Sequence, residues 1–140
     1  HELDNMRAAV FPGAMQDQPV GQALHELAQR LLSYALQPDS VALYRLMVSE
    51  AHRLPQLAAS LRLTVEKQLH SPLEQCLRKA CERGELRIDD PRLAARTLGN
   101  LINGIASHAR LTGGWAEGPD AECLATCRYG VDTLLRAFRP

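Results

Sequence analysis

Apolar side chains recur along this chain at the spacing of an α-helix, in segments separated by prolines. Between Val20 and Ala35 they fall at intervals of three and four residues, and similar spacing returns in later segments. No run of β-branched residues alternates with polar ones, so the sequence predicts no strand. The predicted fold class is therefore all-α, a helical bundle of about six helices. We predict these helices at residues 2–11, 19–36, 39–53, 55–83, 91–112 and 119–138.

The predicted helix ends agree with local chemistry. Asp90 followed by Pro91 is typical of a capped helix start, and Gly84 is typical of a helix end in the left-handed conformation. Pro72 differs, because the apolar stripe runs through it without losing phase. This continuity favours one long helix over 55–83, kinked at Pro72, rather than two separate helices.

Composition narrows the function classes. The 140 residues are enough for one domain. The 16 Lys and Arg residues balance the 16 Asp and Glu residues, so the formal net charge is zero. Domains that bind nucleic acid are usually basic, so this charge argues against direct binding of nucleic acid by these residues. Aromatic residues make up 4% of the chain, too few for stacking on single-stranded nucleic acid. The charge-free stretch 97–109 is too short to span a membrane. We expect a cytoplasmic protein whose four cysteines are free thiols.

The helix predicted over 91–112 has two faces that both look buried. One face is apolar, and the opposite face carries small and amide side chains where a surface helix would carry Lys and Glu. The next helix has an apolar arc wider than one neighbour needs. We therefore predict a symmetric homodimer formed by residues 91–138 as a four-helix bundle. The predicted interface residues are Arg96, Asn100, Asn103, Gly104, Ser107, Leu111, Cys123, Cys127, Gly130, Val131 and Leu134.

The sequence contains no recognisable catalytic or metal-binding motif. It lacks a nucleophile elbow, a phosphate-binding glycine loop and a His-Glu-x-x-His pair. Cys123 and Cys127 share a helix face, but zinc sites usually space their cysteines as C-x-x-C. We predict no enzyme activity, no catalytic residue, no metal and no cofactor; a metal-binding helical bundle stays open as a rival that would need the Cys or His residues.

A ligand cavity between helices is the remaining kind of site. All-helical domains bind small molecules between helices, among apolar side chains with a few polar ones. The apolar stripes and their polar neighbours supply a candidate lining, although the same residues would serve equally as packed core. The candidates are Leu27, Leu31, Tyr34, Tyr44, Met47, Leu61, Val65, Leu69, Leu101, Ile105 and His108.

Two segments carry a family resemblance. Residues 43–57 read LYRLMVSEAHRLPQL and resemble a segment of TetR/AcrR-type transcriptional regulators, close to LxRLxxxEAxRxPEL. Residues 83–95 read RGELRIDDPRLAA and are similar to the RGELRxxDPxLAA segment of the same regulators. Gln56 stands where an acidic residue is more usual, and Leu54 stands where Phe is common.

The resemblance implies a regulatory domain that senses a small apolar effector and dimerises through its last two helices. In that family it follows a DNA-binding helix-turn-helix of about fifty residues, so we expect this chain to be part of a longer one that contacts DNA only through that missing domain. Residues 1–11 would then be the joining helix. The resemblance does not assign individual pocket residues.

A helical protein-interaction module without a small-molecule ligand is the alternative. Pro55-Gln56-Leu57-Ala58-Ala59 resembles 91–95, Pro-Arg-Leu-Ala-Ala, as in a helical repeat. Such an adaptor would present its surplus apolar surface to a different protein rather than to a second copy.

Overall fold

The structure is a computed structural model, and it describes residues 18–113 and 118–140. Its helices are α1 (Val20–Ala35), α2 (Pro38–Glu50), α3 (Pro55–Val65), α4 (Ser71–Glu82), α5 (Pro91–Thr112) and α6 (Ala121–Ala137), with a π-helical turn (Glu66–His70) between α3 and α4. The all-α prediction is confirmed. The five predicted segments from 19–36 onward each match one helical segment, and the helix predicted over 2–11 lies outside the described residues.

One helical run continues from Pro55 to Glu82 and passes through Pro72. Proline cannot donate a backbone hydrogen bond, and its ring collides with the carbonyl four residues earlier. The chain widens the preceding turn, so that the N–H of Ser71 donates to the carbonyl of Glu66, five residues back. Single π turns of this kind are frequent at functional sites, and this one forms part of a cavity wall described below.

The core lies where α1, α4, α5 and α6 pack together. Each large apolar side chain buried there contributes about 1.5–3 kcal/mol to stability. By contrast, α3 has no buried residue, and α2 buries only Ser40 and Val41. These two helices therefore form a thin outer layer over a firmly packed core. The largest fully buried side chains are those of Leu27, Leu32, Leu36, Leu73, Leu77, Ile102 and Val131.

The first turns of α5 and α1 are capped in different ways, one by a neighbouring residue and one by a distant residue. Asp90 accepts a hydrogen bond from the N–H of Leu93 at the start of α5, as the sequence predicts for a cap. No side chain next to α1 caps it; instead Glu85, from the α4–α5 connection, accepts from the N–H of Val20 at 2.8 Å. This backbone hydrogen bond, followed by the contact with Arg83, holds the pKa of Glu85 below its usual range.

Replacing Glu85 with alanine should therefore destabilise the fold in a pH-dependent way. We expect a loss of about 1 kcal/mol at neutral pH, because the first turn of α1 loses its acceptor. A carboxylate whose pKa is lowered by folding stabilises the protein above its unfolded pKa, near 4.5, and that stabilisation disappears as the pH falls through the lower folded pKa. Urea unfolding at neutral and acidic pH measures the difference. Glu82→Ala, an exposed neighbour, should have little effect, and a Glu85→Ala deficit that is unchanged in acid would contradict the prediction.

Candidate functional site

A cavity of about 270 Å³ lies between α5 and the outer layer of α2, α3 and the π turn, with the C-terminal part of α1 along one side. It follows α5 from Gly99 to Arg110, and a rise of about 1.5 Å per residue separates these two residues by roughly 16 Å. Most of the side chains around it are apolar. Its outer wall is thin, since α3 has no buried residue and α2 buries only Ser40 and Val41.

Seven of the residues predicted from the apolar stripes line this cavity. They come from four separate segments of the chain, which the fold brings around one space. These residues are Leu31, Tyr34, Tyr44, Met47, Leu61, Val65 and Leu69.

Four other candidates lie elsewhere. Leu27 is in the packed core. Leu101 packs against Gly130 of α6, where it would lie 2.7 Å from any Cβ at that position. Ile105 and His108 line a separate, more open depression between α5 and the start of α6. The last three share one cause: the side of α5 that carries them faces α6 rather than the outer layer.

The cavity also has residues that the apolar stripes did not indicate. Gly99, Asn103, Ala106 and Arg110 follow helical spacing along α5 and form its inner wall. Of these four residues, only Asn103 belongs to a predicted site, and the sequence places it in the dimer interface. The burial of Arg110 had no signal in the sequence, because most arginines at helix ends are exposed.

Arg110 is the only charged side chain among those buried in the described residues, with 8% of its surface exposed. One guanidinium nitrogen, Nη2, donates to Oδ1 of Asn103 and to Oγ of Ser107, each at 3.2 Å. Its Cζ atom lies 3.7 Å from the ring centre of Tyr44, in a cation–π contact. Nε has no hydrogen-bond partner. Burial lowers the pKa of Arg110, but a guanidinium keeps its charge at neutral pH.

At the other end of the cavity, His70 is paired with the carboxylate of Glu66. His70 Nδ1 lies 3.0 Å from Glu66, and Arg96 donates to the same carboxylate oxygen at 3.2 Å. The hydrogen bond with His70 is the main reason that the pKa of Glu66 is lowered. Gly99 makes room for this ring, since a Cβ at that position would lie 3.1 Å from the imidazole.

The residues predicted for a dimer interface are divided among several surroundings. Cys127 and Val131 are buried among the chain's own helices, so neither can meet a second chain in this arrangement. Asn100 and Asn103 line the cavity. Arg96 pairs with Glu66, and Gly130 packs on Leu101. Ser107, Cys123 and Leu134 are half-buried. Gly104 and Leu111 are exposed.

The surroundings of three cysteines favour the neutral thiol. Burial is the main cause of the raised pKa of Cys76, Cys123 and Cys127. Within residues 18–113 and 118–140, no three His, Cys, Asp or Glu side chains come together in a group that could hold a metal ion. Among the described helices, none combines the length and apolar character that crossing a bilayer requires.

Comparison with known proteins identifies the fold and the family. A solved structure described as a TetR-family transcriptional regulator from Mesorhizobium loti has the same fold, with a TM-score of 0.81 at 23% sequence identity, over 99% of this chain and 68% of that one. The family model for the C-terminal domain of AefR-like transcriptional repressors matches residues 22–140. No curated protein matches the sequence significantly.

The fold is thus that of the C-terminal domain of a TetR-type regulator. The chain belongs to the TetR family of transcriptional regulators, as a C-terminal domain of the AefR-like type. The resemblance of residues 43–57 and 83–95 is therefore confirmed at the level of the family. Because this is a family of regulators without enzymatic activity, the prediction that the chain is not an enzyme is confirmed as well.

Proposed function

We propose that this chain is the effector-sensing and dimerisation domain of a transcriptional repressor. A small, largely apolar effector would bind in the cavity along α5 and change how a helix-turn-helix outside these 140 residues engages DNA. The cavity is the observation that carries this proposal, since apolar spaces between helices with a few polar groups are typical ligand sites. The cytoplasm, where such a repressor meets its operator, is the compartment that this function requires.

The position of α1 offers a route from effector to DNA. The C-terminal part of α1 supplies Leu31 and Tyr34 to the cavity, and its first residue, Val20, is held by Glu85. A ligand that wedges α1 away from α5 would move whatever precedes α1 in the chain. In the intact repressor this movement would change the spacing of two DNA-reading helices relative to successive major grooves. It requires an effector that binds the two arrangements with unequal affinity.

Dimerisation would use the outward faces of α5 and α6. Leu93, Gly104 and Leu111 follow helical spacing along the exposed side of α5, and Tyr129 stands exposed on α6. More than half of the surface of Leu93, Leu111 and Tyr129 is open to solvent. Pairing these faces with those of a second copy would build a four-helix bundle around a two-fold axis. The proposed interface keeps Gly104 and Leu111 from the sequence prediction and leaves out Cys127 and Val131.

Two neighbouring substitutions on α2 test ligand binding. Met47 lines the cavity, whereas the next residue, Val48, is exposed and does not line it. We expect Met47→Trp to fill the cavity and to weaken the binding of octan-1-ol at least about tenfold, because the large ring would occupy the volume that the alkyl chain needs. Val48→Trp, the matched control, should bind like the unmodified chain. Isothermal titration calorimetry measures both affinities.

Failure of octan-1-ol to bind the unmodified chain would contradict a cavity open to apolar molecules. Equal binding by Met47→Trp would place the ligand elsewhere. Far-UV circular dichroism of both variants separates these results from a loss of the fold. Because α2 contributes little to the core, we expect both variants to remain folded.

A protein-interaction module remains the alternative, and one observation favours it. The outer layer exposes six large apolar side chains, more than isolated surface positions usually present together. They are Leu43, Leu46, Val48, Leu54, Leu57 and Leu63 of α2, α3 and their connection. A chain that is monomeric at high concentration and binds no octan-1-ol would favour this function over effector sensing.

A further inference from the structure

The positive charge along the cavity is not balanced by negative charge. Among the described residues that line it, Arg110 lies at one end and His70 at the other, and none is a carboxylate. His70 already has Glu66 as its partner. Among the described residues, no carboxylate forms an ion pair with Arg110; its neighbours are an amide, a hydroxyl and an aromatic ring. One buried positive charge is therefore left without a counter-charge.

Such an arrangement is costly. A buried charge needs a partner or a full set of hydrogen bonds, and the free energy of leaving a charged donor unsatisfied exceeds that of leaving a neutral one unsatisfied. Nε of Arg110 makes no hydrogen bond, and neither does Oγ of Ser40, which is also buried and lines the same cavity. Two unsatisfied polar groups thus line one mostly apolar space.

We propose that the cavity binds an amphipathic anion, whose carboxylate accepts hydrogen bonds from Arg110 and Ser40 while its apolar body lies along α5. The planar guanidinium fork is the side chain best matched to a carboxylate. Between Arg110 and His70, lining residues such as Ile102, Ala106 and Leu69 offer the body apolar contacts. This inference rests on the proposed function and makes it narrower, because an effector without an anionic group would leave Arg110 uncompensated.

Cavity size limits the ligand. An engineered protein cavity of about 150 Å³ holds benzene, with six non-hydrogen atoms. By proportion, a cavity of about 270 Å³ holds roughly eleven. Octanoate, with ten, fits this limit, and octan-1-ol and octylamine have the same chain with a neutral and a cationic head. These three molecules therefore differ in the one property that the proposal concerns.

The experiment is a calorimetric titration of the 140-residue chain with each of the three molecules at neutral pH. We expect octanoate to bind about ten- to a hundredfold more tightly than octan-1-ol, the range of affinity that hydrogen bonds to a charged group supply. Octylamine should bind more weakly than octan-1-ol, since its ammonium would face Arg110.

Substitutions test whether Arg110 causes the preference for octanoate. Arg110→Met keeps an apolar stem of similar length, and we expect octanoate to lose its advantage over octan-1-ol in this variant. Arg110→Lys keeps the charge without the planar fork and should retain part of that advantage. Arg62→Met removes the same charge from an exposed position on α3 that does not line the cavity, so it should leave the preference for octanoate unchanged.

The outcomes separate this inference from the proposed function. If octan-1-ol binds at the Met47-sensitive site and octanoate binds no better, the cavity is a ligand site but not one for anions. An equal loss of preference in Arg62→Met would mean that overall charge, not Arg110, is responsible. If none of the three molecules binds, both proposals fail. The comparison of the three ligands on the unmodified chain decides the inference even if Arg110→Met does not fold.

Discussion

Gly104→Arg is expected to convert the proposed dimer into monomers while leaving the helical fold intact. Gly104 lies midway along the exposed side of α5 between Leu93 and Leu111. A Cβ at this position would meet no atom within 4 Å, so the free chain has room for a side chain. Replacing a helical glycine also removes a conformational cost of up to about 1 kcal/mol. The substitution should therefore not harm the isolated chain.

In a dimer, the same arginine would act against association in two ways. It would hold apart two helices that glycine allows to approach closely, and the two-fold axis would bring two like charges together. Burying charge without a partner costs several kcal/mol, so we expect the dissociation constant to rise by about a hundredfold or more, since each factor of ten is about 1.4 kcal/mol. Sedimentation equilibrium over a range of concentrations measures this constant.

Ser60→Arg is the matched control for Gly104→Arg. Ser60 is an exposed position on α3, so the variant gains the same charge on a different surface. It should dimerise like the unmodified chain. A Gly104→Arg chain that remains dimeric, or an unmodified chain that is monomeric at high concentration, would contradict the proposed interface. Circular dichroism should report the same helical content in all three chains.

Leu73→Ala should produce the largest loss of stability. Leu73 lies one residue after Pro72 on α4 and is fully buried at the centre of the core. Removing most of a buried leucine side chain loses its transfer free energy and leaves a space that the neighbours fill only in part. We expect the free energy of unfolding to fall by about 2–5 kcal/mol. The loss would show that the helical run beyond Pro72 belongs to the core.

Leu63→Ala is the control in the same helical run, because 65% of Leu63 is exposed. Its effect should stay within about 0.5 kcal/mol. Urea titrations at one fixed protein concentration compare the two variants, since the stability of a dimer depends on concentration. A Leu73→Ala loss no larger than that of Leu63→Ala would contradict the position of the core at α1, α4, α5 and α6.

The helices were predictable because their causes are local. Apolar spacing of three and four residues, Asp90 before Pro91 and Gly84 after α4 act within a few residues of chain. The structure shows a side-chain cap at Asp90 and a left-handed conformation at Gly84. The continuity of the run through Pro72 also followed from phase. The π turn that accommodates this proline did not, because apolar spacing does not show which turn takes up an extra residue.

The cavity was predictable only in part. Stripes on α1, α2 and α3 indicated residues such as Leu31, Met47 and Leu61, since each of these helices has one apolar face to turn inward. On α5 the same reasoning selected Ile105, which lies toward α6. A long helix in the middle of a bundle has several buried sides, and periodicity cannot tell which neighbour covers each one.

The sequence by itself determined the helices, the absence of catalytic motifs and the family, because spacing, caps and motif residues are properties of short segments. Only the tertiary structure decided that Arg110 is buried without a carboxylate, that Cys127 and Val131 belong to the core, and that Gly104 is exposed. The physical reason is that burial depends on which helices pack against each other. The same uncharged helix face can line a cavity, join a core or meet a second chain, and that choice is made by contacts between residues far apart in the chain.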